Sequence, residues 1–162
     1  MDTNLIHVGI EDMKAASGNT ILRTTLGSCI AICLYDPKNQ RGGLAHIMLP
    51  SLEDTRNVKG SPTKYADSAI PLLLYEILNN GGDKNSIYAK IAGGAQMFAL
   101  PGSTVMSAIG RNNTAKVKDV LREMNINIIA EDTGGNHSRT IYFYLETGDV
   151  TIKVSGQPDK TI

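Results

Sequence analysis

Residues 29–35, CIAICLY, are seven apolar residues in an unbroken row. A run of that length, lacking the alternation that leaves one face polar, reads as a β-strand buried on both faces. Turn chemistry brackets it, with Gly27-Ser28 before and Asp36-Pro37-Lys38-Asn39 after. A second apolar run, GLAHIMLP at 43–50, follows and stops at Pro50. The two runs pair as an antiparallel hairpin, and a tight loop centred between Pro37 and Lys38 sets Cys29 opposite His46. Gly42-Gly43 is the place where a bulge would shift that register.

The remaining elements follow from the same rules. LIHVGIE at 5–11 and TILRTTL at 20–26 read as strands separated by a Ser17-Gly18-Asn19 turn. Residues 51–62 are polar and punctuated by Gly and Pro, a surface loop. Ser61 then caps a helix with Pro62 at its first position. Ala66, Ala69, Ile70, Leu73, Ile77 and Leu78 share one face of that helix. Pro71 should bend or interrupt it, and Asn80-Gly81-Gly82 ends it. A strand is expected at 86–92 and an irregular region around Pro101-Gly102. Next comes an amphipathic helix capped by Asn113, with Val117, Val120, Leu121 and Met124 inward. INIIAED, a loop at 132–139, and a hairpin of TIYFYLE and VTIKVS complete the chain. The expectation is a mixed α/β fold, α+β in its ordering, with about eight strands and two helices. Irregular βαβ order argues against a doubly wound sheet.

At 162 residues the chain reads as a single domain, able to bury a core without disulfide or metal staples. Sixteen basic residues balance sixteen acidic ones, so no broad field favours nucleic acid or anionic lipid. No apolar stretch spans a membrane, and MDTNLIHVGIEDMK lacks the basic and apolar regions of a signal peptide. The expected compartment is the cytoplasm, where Cys29 and Cys33 stay reduced.

Candidate chemistry concentrates at Cys29 and His46. The Gly27-Ser28 turn would present backbone N–H groups to a thiol and to a developing oxyanion. A hairpin partner histidine would serve as its base. Cys33, between Ile32 and Leu34, reads as core. A third group must orient the imidazole; Thr24, Thr25 and Asp36 are the options. A zinc set of Cys29, Cys33, His46 and His137 fits poorly, because the cysteine spacing exceeds that of a C-x2-C knuckle. Gly93-Gly94 and Gly134-Gly135 match no phosphate-binding loop and read as turns that need positive φ, placed to wall a cleft.

Six blocks carry a family resemblance: TLGSCIAICLYDP at 25–37, GGLAHIMLP at 42–50, KYADSAI at 64–70, KIAGGAQMF at 90–98, IGRNN at 109–113 and AEDTGGNHSR at 130–139. In this order, over nearly the whole chain, they resemble the chemoreceptor glutamine deamidase family, CheD. The resemblance implies a protein-glutamine glutaminase that converts receptor glutamines to glutamate and releases ammonia, with no metal or organic cofactor. It implies Cys29 as nucleophile, His46 as base and a threonine shortly before the cysteine as third member. Of Thr24 and Thr25, Thr24 is taken. It also implies a three-layer sandwich resembling deamidating toxin domains. The implied partners are methyl-accepting chemotaxis receptors as substrate and a CheC-type phosphatase, with no nucleic acid and no membrane insertion. The alternative function is an interaction module that regulates such a phosphatase.

Overall fold

A computed structural model describes residues 2–51, 60–97 and 108–162. The polar loop expected at 51–62 falls mostly, and the region around Pro101-Gly102 wholly, outside the described residues. Ten strands form two five-stranded sheets among the described residues. In the first sheet the order is β1 (Asn4–His7), β3 (Thr20–Leu26), β8 (Arg139–Tyr144), β9 (Val150–Lys153), β10 (Lys160–Thr161). In the second it is β2 (Met13–Ser17), β5 (Arg41–Ile47), β4 (Ile30–Asp36), β6 (Tyr88–Gly93), β7 (Ile128–Thr133). Helices α1 (Ala66–Asn79) and α2 (Ile109–Glu123) pack against the second sheet.

β4 explains this layering. All seven of its residues are buried. Ile30, Ile32 and Leu34 share one core with α1 residues Ile70, Leu73 and Ile77 and α2 residues Val117 and Leu121. Ala31, Cys33 and Tyr35 point the other way, into a second core with Leu22, Leu26, Ile141 and Phe143 of the first sheet. Strand side chains alternate, so a strand apolar at every position needs a layer on each side. The outcome is helices, sheet, sheet. Burying each large aliphatic side chain here contributes about 1.5–3 kcal/mol.

The hairpin forms, with a different register. Ala31 lies opposite His46 and Ile30 opposite Ile47, so the loop centres between Lys38 and Asn39. The displacement comes from Asp36. Its buried carboxylate accepts from the Lys38 and Asn39 backbone N–H groups at 3.0 and 3.2 Å and holds four residues in the loop. Gly42 and Gly43 make no bulge. They answer a close approach instead, since a Cβ on Gly43 would lie 2.6 Å from Leu73 Cδ1 and 2.8 Å from the Lys14 carbonyl.

Other expectations need correction. The stretch 5–11 is not one strand: β1 ends at His7, and β2, whose half-polar sequence MKAAS carries no strand signal, pairs along β5. Ser61 caps only a 3₁₀ turn, Pro62–Lys64, and α1 begins at Ala66. α1 runs unbroken through Pro71, which is exposed and sits early in the helix. Asn113 is not a cap, because α2 begins four residues earlier at Ile109.

Asp36 also accepts from Asn39 Nδ2 at 2.8 Å, from the Asp83 N–H at 2.7 Å and from the Ser86 hydroxyl, tying β4 to the loop before β6. Burial alone would raise its pKa, but the hydrogen bonds from Asn39, Ser86 and Asp83 outweigh it and hold the carboxyl at about 2. A depressed carboxylate stabilises the fold above the ordinary value and loses that contribution as pH falls through its folded value. Asp36→Ala should therefore cost about 2–4 kcal/mol in urea unfolding at pH 7. The difference from wild type should shrink between about pH 4 and pH 2. An unchanged midpoint at pH 7 would count against this assignment.

Candidate active site

Inward-facing positions of β3 are Thr20, Leu22, Thr24 and Leu26, all buried. Period-two alternation thus puts Thr24 between two core leucines and turns Thr25 outward, where its hydroxyl meets Thr140 at 2.9 Å. From the second sheet, His46 projects into the same space. Thr24 Oγ1 lies 2.7 Å from His46 Nδ1 and 2.7 Å from the Val8 carbonyl oxygen. The bond between Thr24 and His46 joins the two sheets.

Donor counting sets the proton positions. A hydroxyl has one proton, and a carbonyl oxygen only accepts. Thr24 therefore donates to Val8 and accepts from the Nδ1–H of His46. Nε2 is left as the unprotonated, basic nitrogen. Asp36, the other candidate orienter, sits at the far end of β4 in its own network.

Cys29 immediately precedes β4 and lies on the same face as Ala31, the cross-strand partner of His46. Cys29 and His46 are thus diagonal neighbours, a separation of about 7–8 Å between Cα atoms that long side chains can span. Among the described residues no hydrogen bond joins their side chains. Such contacts tighten when substrate binds.

Backbone bonds hold the cysteine turn. Gly94 N–H donates to the Cys29 carbonyl at 2.9 Å and Ala95 N–H to the Gly27 carbonyl at 3.0 Å. Gly93 and Gly94 have φ of 112° and 69°, and a Cβ on Gly93 would overlap the Cys29 carbonyl oxygen. Both glycines are needed for this approach. Gly134 N–H donates to Gly93 at 2.9 Å, so the second glycine pair, φ 85° and 74°, braces the first. Arg139 grips that loop through Asp132 Oδ1 at 2.9 Å and the Gly134 carbonyl. A cavity of about 610 Å³ is lined by Gly94, Gln96, Arg111, Thr114, Gly134 and Gly135. Neither Cys29 nor His46 lines it.

Cys29 is 8% exposed, His46 4% and Thr24 1%. Burial raises the Cys29 thiol above its ordinary 9.0; the residue's own N–H opposes that, and Glu11 adds to it. Burial lowers His46 to about 4, partly opposed by the Val8 carbonyl, with a smaller lowering from His7. Both groups are uncharged at neutral pH. Cys33 is buried more deeply, its thiol pushed well up by desolvation and only partly restored by Lys90. Both cysteines are free. His137 is exposed in its loop, and among the described residues no three His, Cys, Asp or Glu side chains gather for a metal.

Asn113, a residue with no part in the sequence-level site, is fully buried here. Its Nδ2 donates to the Ser28 carbonyl at 3.1 Å and to the Met48 carbonyl at 3.0 Å. The signal was present in the helix pattern, since Gly110, Asn113, Val117 and Val120 form one inward stripe.

The family model described as CheD chemotactic sensory transduction matches residues 48–154. The chain belongs to the CheD family. Among curated relatives is a "Probable chemoreceptor glutamine deamidase CheD" of Desulforamulus reducens, 46% identical over 158 residues, which are 97% of this chain and 95% of the relative. Proteins with the same description from Desulfitobacterium hafniense and Clostridium kluyveri are 43% and 42% identical, with 99% and 100% of both chains covered. The CheD family match begins at residue 48, so Thr24, Cys29 and His46 fall in the part that only the full-length relatives cover. A solved structure, Bacillus licheniformis hypothetical protein YfiH, aligns at 14% identity and a TM-score of 0.44 over 75% of this chain and 50% of that one.

A thiol held above its ordinary value alkylates slowly at neutral pH. Cys29 labelling by iodoacetamide should run at no more than about 1% of its plateau rate at pH 7 and climb beyond pH 9, with no step near 6.5. Cys33 should resist labelling until the protein unfolds. A Cys29 plateau already reached at pH 7 would show an ion pair and reverse this reading.

Proposed function

We propose that this CheD-family chain is a protein-glutamine glutaminase that deamidates glutamine side chains of chemoreceptors, with Cys29 as nucleophile, His46 as base and Thr24 as the orienting group. The observation that carries the reading is the Thr24 hydroxyl, which leaves His46 Nε2 basic on the face that holds Cys29. The names of the full-length relatives supply the substrate class.

The chemistry follows from two neutral partners. As sulfur attacks the carboxamide carbon, the Cys29 thiol proton passes to Nε2. The C–S bond forms and the carbonyl oxygen takes the negative charge. His46 then returns the proton to nitrogen, the C–N bond breaks and ammonia leaves. Water attacks the thioester with His46 as base, the C–S bond breaks, and glutamate and the free thiol result. Nδ1–H stays on Thr24 throughout, so the imidazolium formed in each half-reaction is stabilised where burial would otherwise oppose it. The reaction needs no metal or organic cofactor.

The substrate is a side chain on a protein surface, and chemoreceptor signalling domains place the enzyme in the cytoplasm. No helix among the described residues is long and apolar enough to cross a membrane. The resemblance to CheD adds a CheC-type phosphatase as binding partner.

Incubation with a receptor cytoplasmic fragment should release ammonia and raise the fragment mass by about one unit per site, the change from amide to acid. Cys29→Ala should abolish both signals. Thr24→Val should lower kcat roughly 10–100-fold, the worth of one buried hydrogen bond to a charge-bearing group. Thr25→Val should stay within about twofold of wild type, as expected of a surface position. Equal loss in the two threonine variants, or activity surviving in Cys29→Ala, would refute the assignment.

A further inference from the structure

Asn113 reaches both halves of the site from a third element. The Ser28 carbonyl belongs to the same peptide group as the Cys29 N–H. Met48 lies two residues beyond His46, just past the end of the strand that carries the base. One nitrogen, Nδ2, donates to both carbonyls, at 3.1 and 3.0 Å. Since both neighbours only accept, the amide orientation is settled by chemistry: nitrogen faces them and Oδ1 faces away. Oδ1 is buried and has no hydrogen-bond partner among the described residues. A buried amide left half satisfied is less stable than a satisfied one. An apolar residue would fit the inward stripe of α2 without that cost, so the donor end of the side chain has a use.

The peptide plane indicates the use. In a trans peptide the C=O and N–H point in opposite directions, so anchoring one aims the other. Asn113 draws the Ser28 carbonyl towards α2, and the Cys29 N–H then points away from the helix. Gly94 fixes the next carbonyl, that of Cys29, at 2.9 Å. With carbonyls on both sides of Cys29 pinned, the peptide cannot rotate. Among the described residues no backbone carbonyl accepts from the Cys29 N–H. That leaves the N–H available to an oxygen arriving at sulfur. The lowering effect of this same N–H on the Cys29 thiol agrees with its pointing towards Sγ.

We infer that Asn113 is a positioning residue that aims the Cys29 backbone N–H as an oxyanion donor by holding the Ser28 carbonyl, and that ties the nucleophile turn to the base strand through Met48. The inference rests on the cysteine-hydrolase reading of the site, although it does not depend on which protein is the substrate. Asn113 touches no reacting atom.

Two reactions of Cys29 separate this role from simple support of the fold. Acylation by p-nitrophenyl acetate forms the S–C bond, passes through a tetrahedral oxyanion and expels p-nitrophenolate while the thiol proton goes to His46. Alkylation by iodoacetamide forms an S–C bond and expels iodide, and no carbonyl oxygen gains charge. In Asn113→Asp and Asn113→Leu, acylation should fall on the order of a hundredfold, as for loss of one oxyanion donor. Alkylation should change no more than about threefold, well under the oxyanion effect. An acylation-to-alkylation ratio equal to that of wild type overturns the inference, as does a proportional fall in both. The wild-type protein supplies a check that needs no variant. By NMR the Asn113 side-chain amide protons should be strongly protected from exchange, and exchange at the rate of a free amide overturns it. Ester acylation also separates the two readings. If wild-type protein releases no ammonia from receptor fragments yet the ratio falls in the variants, the receptor assignment fails and the role of Asn113 stands.

Discussion

Double-sided burial of β4 is the constraint on which everything else depends. A strand without a polar face is stable only inside the protein, so helices must cover one side and a second sheet the other. Its two rows of side chains make separate cores: one with α1 and α2, one with β3 and β8. The candidate site lies at the N-terminal end of this strand, where both layers and the helices come together. Thr24 comes from the first sheet, His46 from the second, Cys29 from the turn that leads into β4, and Asn113 from α2. No single layer holds all four.

Burial also sets the electrostatic character of the site. Desolvation acts on a thiol and an imidazole in opposite directions, raising one and lowering the other, and here it moves both towards the neutral form. A preformed thiolate–imidazolium pair would have to overcome that desolvation. Charge develops only during the reaction, so fixed dipoles matter more than ground-state ion pairs. The Thr24 oxygen and the backbone around Cys29 are dipoles of that kind. Glycines at 93 and 94 let that backbone come close enough for two of its carbonyls to be bound.

Much of the site was legible before the fold. Cys29 was separable from Cys33 by its place after a Gly-Ser turn, and His46 by its place in the facing strand. Choosing between Thr24 and Thr25 needed strand parity, which Leu22 and Leu26 encode but which Ile21 obscures in the row TILRTTL. Hairpin register was missed by two residues, because a loop length depends on side-chain bonds such as those of Asp36. Asn113 looked like a cap because asparagine is a good one, yet α2 begins earlier and carries it inward. β2 was invisible because its strand character comes from pairing with β5, not from its own residues.

By itself the sequence determined the mixed α/β class, the buried central strand and, through six ordered blocks, the CheD family, and it singled out Cys29 and His46 as the candidate pair. These are properties of residue type and local order, and apolar runs, turns and spacing express them directly. Tertiary structure alone decided the register that makes Cys29 and His46 diagonal neighbours, the Nε2 basicity set by a threonine 22 residues away, and the reach of Asn113 to carbonyls 85 and 65 residues distant. Each of those depends on where one layer settles against another. That position is set by the packing of whole faces, and no stretch of chain carries it alone.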